Sequence, residues 1–179
     1  MNLIMGFAPF ILFTALSRLS VDLALWVAFA AAFVVTIRDF VESPSLRLLD
    51  AGSLALFALL ALGRSFLDLP LASVHFIAAL SLFLLLGLPL ILKRPFSVEY
   101  ARLDPREADW PPDQFLKVNY LVSGAWAAAL AAMAAADGAV TFETGLPLYG
   151  SIAVSLIALT AAVTFTLRYP AHIARKSAL

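Results

Sequence analysis

Residues 71–92 read LASVHFIAALSLFLLLGLPLIL, a stretch without a single Asp, Glu, Lys or Arg. Hydrocarbon offers peptide groups nothing to bond, so an apolar run of this length must satisfy its own N–H and C=O groups as a helix. Working outward, five further runs share this character, at about residues 3–17, 21–37, 48–67, 116–137 and 146–167. The pattern predicts an all-α, polytopic membrane bundle of six transmembrane helices, the first one short, in a single domain spanning 1–179. Composition agrees: 63% of residues are hydrophobic and 13% charged, with a mean hydropathy of +0.95. That is more apolar surface than a soluble domain hides.

Six spans of about 20 residues leave room for one sizeable loop, at 93–115, and a tail at 168–179. A net charge of zero provides no global field for nucleic acid. The absence of cysteine removes disulfides, thiolate metal sites and cysteine nucleophiles together. The first run has the length of a signal-peptide core, and Ala15-Leu16-Ser17 resembles a cleavage site, yet no Lys or Arg precedes it. It is expected to be a retained helix started or bent at Pro9, with an interfacial or half-inserted helix as the alternative.

Lys and Arg resist translocation, so their placement over short loops orients the chain. Arg38 and Arg47 follow run two, Lys93, Arg94, Arg102, Arg106 and Lys117 surround the loop after run four, and Arg168, Arg175 and Lys176 follow run six. Only Arg18 and Arg64 lie on the other side, each four residues before an aspartate, Asp22 and Asp68, with which it can pair. Both termini are therefore expected on the cytoplasmic side. Pro70, Pro112 and Pro147 stand where a first helical turn tolerates a missing N–H.

Between helices in lipid, small residues permit close approach. Gly124, Ala128, Ala132 and Ala136 recur every four residues in run five, beside a second ridge of Ala127, Ala131 and Ala135. Ala24, Ala28, Ala32 and Thr36 repeat the device in run two, and run six offers Gly150, Ala158 and Ala162. These are predicted packing seams; the alternative is that alanine merely supplies helix propensity.

An ionisable group at the bilayer centre usually has a task, and the midpoints of the six runs hold none. Asp50, one turn into run three with Arg47 three residues before it, reads as a helix-dipole partner rather than a functional acid. His75 stands alone in run four, and His172 lies in the basic tail. No GxSxG, glycine-rich phosphate loop or HExxH occurs. No catalytic residue, metal site or cofactor is expected.

The loop is the one long polar piece. Asp104, Pro105 and Glu107 have the spacing of a capping box, and Phe96, Tyr100 and Trp110 suit the headgroup level, predicting an interfacial hairpin. Lys93, Arg94, Arg102 and Arg106 can attract anionic lipid or simply set topology. Lys93, Arg94, Glu99, Tyr100, Arg102 and Trp110, with Asn119 and Trp126 on the next helix, are the candidate partner- or lipid-docking residues. Asn119 is expected to bond a neighbouring helix.

Phe7-Ala8-Pro9-Phe10, Leu16-Ser17-Arg18-Leu19 and Asp22, then Lys93-Arg94-Pro95, Trp110, Lys117-Val118-Asn119 and Trp126, resemble in order the intracellular septation protein A family of bacterial inner-membrane proteins. After Trp126 the chain turns to alanine and departs from that pattern, and Glu99-Tyr100-Ala101-Arg102 looks like a divergent branch. The resemblance implies a protein of envelope synthesis, cell division and envelope integrity, acting through membrane protein partners without a catalytic residue. The leading expectation is a non-enzymatic bundle that organises envelope proteins, with self-association open. One rival is a transporter or channel for a neutral or lipid-like solute, lined by Ser81, Ser123, Ser155 and Thr160. Another is a membrane-surface enzyme whose Glu99, Arg102 and Asn119 converge.

Overall fold

A computed structural model describes residues 2–17, 19–43, 47–102 and 110–177. Regular structure among them is helical throughout: α1 (Asn2–Gly6), α2 (Ala8–Leu16), α3 (Val21–Glu42), α4 (Leu48–Phe66), α5 (Leu71–Ile91), α6 (Val98–Ala101), α7 (Pro112–Thr141) and α8 (Leu148–Ser177). Five of these, α3, α4, α5, α7 and α8, are long and apolar enough to cross a membrane. The quoted stretch is α5.

Local chemistry sets the helix ends. Ser20 caps α3 by accepting the Leu23 N–H at 3.3 Å. Pro70, with ψ 151°, turns the chain into α5, and Pro112 occupies the first turn of α7. At the far end of α5, Lys93 adopts φ 58°, the Lys93 N–H bonds Leu90 O and the Arg94 N–H bonds Pro89 O, a Schellman closure without glycine. Glu143, at φ 54°, closes α7 identically, its N–H on Val140 O and that of Thr144 on Ala139 O.

The first run is two short helices and not one, broken at Phe7, with Pro9 in the opening turn of α2. Phe7, Phe10 and Phe13 are buried, so one face of this pair packs into the bundle while Met5 and Leu12 point outward. Phe7 stacks on Trp126 of α7 with ring centroids 3.5 Å apart, and Phe13 lies against Phe57 of α4 and His75 of α5. Gly6 has no room for a side chain: a Cβ there would meet Leu49 at 3.0 Å, the Tyr100 hydroxyl at 3.3 Å and Asp50 at 3.4 Å. At the other end Ser17 Oγ lies 2.8 Å from His75 Nε2. Because the Ser17 hydroxyl donates its one proton to Thr14 O, the imidazole N–H is the donor in that pair. His75 is therefore not alone, as its isolation in the sequence suggests.

Packing runs α2 on α3, α3 on α4, α5 on α7 and α7 on α8. The Ala24–Ala28–Ala32–Thr36 row of α3 is buried, and these small residues bring the neighbouring backbones close. The α7 seam is different and corrects the sequence reading. Ala128 and Ala132 are exposed, Gly124 faces open space, and of that row only Ala136 is buried. The inward face of α7 instead carries Val118, Val122, Trp126, Leu130 and Met133 together with Asn119, Ser123 and Asp137. In lipid an apolar face loses nothing by pointing outward, whereas a polar side chain must find a partner, so the polar residues select the buried face. Asp50 and Ser53 do so on α4, and Ser151 and Ser155 on α8.

Asp137, expected in the loop between runs five and six, belongs to the last turns of α7 and is buried, accepting the Ser151 hydroxyl of α8 at 2.5 Å. Arg64 meets Asp68 at 2.7 Å and also Asp22 of α3 at 3.2 Å, tying two helices at the same end of the bundle.

Candidate functional site: an ionic cluster under the α6 elbow

At the opposite end, α3 closes at Ser43 and α4 begins at Leu48. Arg47, extended at φ −78° and ψ 146° just ahead of α4, turns its side chain into the protein. Its guanidinium pairs with Asp39 of α3 through Nη1, and the same nitrogen is 3.9 Å from Asp50 Oδ2. Arg47, Asp39 and Asp50 are 2%, 1% and 4% exposed, so all three charges have left water. The guanidinium carbon sits 5.0 Å from the centre of the Tyr100 ring, and the Tyr100 hydroxyl donates to Asp50 Oδ1 at 2.9 Å.

Burial, reinforced by the adjacent Asp50 carboxylate, pushes the Tyr100 phenol well above its ordinary value of 10.0. It stays protonated and donates at every physiological pH. Thr36 Oγ1 donates to Asp50 O at 3.3 Å, and Arg38 Nε is 3.5 Å from Asp39 Oδ1 and 3.0 Å from Glu42. Two buried acids thus share one buried base, with a second guanidinium at the rim.

The helix α6 is held over this cluster by α4 on one side and α7 on the other. Helix α4 has no side-chain cap of its own, and Glu99 of α6 supplies one, its carboxylate accepting the Leu48 N–H at 3.0 Å. Just ahead of α6, Ser97 Oγ contacts Asn119 O and Oδ1, each at 2.8 Å, while its N–H donates to Ser123 Oγ at 3.2 Å. Asn119 returns its own amide N–H to Phe115 O at 2.9 Å. Tyr120 donates to Leu90 O at 2.6 Å, fastening α7 to the end of α5.

The docking candidates separate accordingly. Lys93, Arg94 and Arg102 are exposed on the rim, Glu99 caps α4, and Trp110 is half-buried against the core. Trp126 donates its indole N–H to Thr166 Oγ1 of α8 at 2.9 Å. Phe96 and Tyr100 are not surface anchors, as the hairpin reading has it: both are buried in the protein, Phe96 edge-on to Phe7 and Tyr100 on Asp50, because a partnered interior exists for them. Arg47, read as a topological charge, is likewise internal. The Asp104–Glu107 capping box and Arg106 lie outside the described residues, as do Arg18 and the side chains of Arg175 and Lys176.

In both rival sets, members turn in different directions. Thr160 lines an outward face of α8, whereas Ser123 is spent on Ser97. Glu99 points to α4, Asn119 to Ser97 and Arg102 to the surface. The sequence reading overlooked Asp39 and Ser97. For Asp39 the signal was an acid continuing an apolar run by one helical turn; for Ser97 there was none. No family model, curated protein or solved structure matches the chain.

Proposed function

We propose that this chain is a non-enzymatic integral membrane protein that works by contact with other membrane proteins, as an organiser or assistant of envelope components in a bacterial inner membrane. In this reading it crosses six times, α1 and α2 together forming the short first passage, with both termini on the basic, cytoplasmic side. The observation that carries it is the destination of the polar side chains. Asp39 and Arg47, Asp50 and Tyr100, Glu99 and Leu48, Ser97 and Asn119, Ser17 and His75, and Asp137 and Ser151 are engaged in ties between segments of this chain. Catalysis or conduction needs such groups turned toward a reactant or a path. Here they fix one helix arrangement and hold the α6 rim rigid.

What the surface offers is suited to lateral contact. The outward row Gly124–Ala128–Ala132 lets another helix approach closely, and Lys93, Arg94 and Arg102 ring the α6 elbow. The resemblance of Phe7, Asn119, Trp126 and their neighbours to the septation protein pattern points the partners toward envelope synthesis and division. The test is a double variant, Ala128→Leu with Ala132→Leu, followed by light scattering in detergent and by crosslinking in membranes. Weakened self- or partner association is expected; unchanged assembly, or solute flux through proteoliposomes of the pure chain, overturns the reading.

A further inference from the structure

Beyond these contacts, α8 carries a surface that none of the other described residues lines. This shallow, open groove is formed by α8 alone, floored by Leu156, Ile157, Ala161 and Phe165 with Thr160 and Thr164 among them, and ends at Arg168, Tyr169 and His172. No acid lines it. Phe165 and Tyr169 stack with ring centroids 4.8 Å apart, making one flat wall. From Leu156 to Arg168 is twelve residues, or about 18 Å of helix. One leaflet of hydrocarbon is about 15 Å deep, half of a core of about 30 Å. The groove therefore runs the length of a single leaflet, mostly apolar toward the midplane, where Thr160 and Thr164 are its polar members, and cationic at the surface.

We propose that this groove holds one anionic phospholipid, its acyl chain along Leu156–Phe165 and its phosphate at Arg168 and His172. A guanidinium and a ring N–H supply charge-assisted donors to phosphate oxygens, and the tyrosine ring between them suits the interface. A second copy of the chain fits the face poorly. Two copies inserted with the same orientation pair about an axis along the membrane normal, which would set Arg168 against Arg168 and His172 against His172 with no carboxylate among the described lining residues. A lipid phosphate brings the missing charge.

The test is native mass spectrometry of the full chain, delipidated in neutral detergent and reloaded with dioleoylphosphatidylglycerol or dioleoylphosphatidylcholine. The wild type is expected to retain one phosphatidylglycerol, and about fivefold less phosphatidylcholine, corresponding to one interfacial basic contact. Arg168→Gln should erase that preference, Arg168→Lys should keep it, and Ala161→Trp should fill the groove and abolish retention of both lipids. Equal retention of the two lipids by the wild type overturns the proposal. So does an Arg168→Gln variant that still prefers phosphatidylglycerol, or an Arg168→Lys variant that loses it. A shift of Ala161→Trp from dimer to monomer with lipid retention intact assigns the groove to a second copy instead.

Discussion

Arg47 is the residue on which the α6 end of the bundle depends. Replacing one partner of a buried ion pair strands the other, and here a single guanidinium faces both Asp39 and Asp50. Arg47→Gln is expected to cost about 3–5 kcal/mol, read as reduced resistance to denaturing detergent. Arg47→Lys should recover only part of this, since an ammonium cannot present a flat face to the Tyr100 ring while reaching two carboxylates. Tyr100→Phe removes a hydrogen bond to a charged group and should cost about 1.5–3 kcal/mol near neutrality. Its pH dependence has a defined sign. The folded protein holds the Tyr100 proton more tightly than the unfolded chain, so the stability linked to it is complete below about pH 10 and falls as pH rises toward the elevated folded value. Stability of the wild type should therefore drop above about pH 10 more steeply than that of Tyr100→Phe, measured by unfolding at stepped pH.

Among elements, α3 and α7 look alike in sequence and behave oppositely. Both carry alanine every fourth residue, but α3 buries its row while α7 turns Ala128 and Ala132 outward. Ala28→Leu should force a fully buried contact apart and cost about 1–3 kcal/mol. Ala128→Leu should stay within about 0.5 kcal/mol of the wild type in the same unfolding assay. Equal effects would contradict the assignment of faces. Alanine spacing alone leaves the choice of face open, because small side chains are compatible with a helix neighbour and with lipid. Asn119, Ser123 and Asp137 carry the discriminating signal, being the groups that hydrocarbon will not accept unpaired.

Across the whole molecule, the two bundle ends are built from different chemistry. One holds the Asp39–Arg47–Asp50–Tyr100 cluster beneath α6, the other the His75–Ser17, Asp137–Ser151 and Arg64–Asp22 ties. The excess of Lys and Arg near the first end predicts that it faces the cytoplasm. The absence of native cysteine makes this directly measurable. With a membrane-impermeant maleimide, Glu143→Cys should label on intact spheroplasts and Lys93→Cys only after permeabilisation, both positions being exposed. The reverse pattern would invert the topology.

Helix class, the five long helices and most of their boundaries were legible in the residues, because hydrocarbon length and proline placement act locally and leave the chain few alternatives. The path of the first run was not legible: a short aromatic segment reads alike whether it lies at the interface or, as here, stacks Phe7 on Trp126 inside the bundle. The ionic cluster was half legible. Arg47 and Asp50 stood out by their spacing, but Asp39 and Tyr100 join them only once α3, α4 and α6 meet, eight and fifty residues apart along the chain. Local sequence thus determined which segments are helical. Tertiary structure alone decided which faces are buried and which charges are paired, since pairing depends on partners that the folded chain brings within reach.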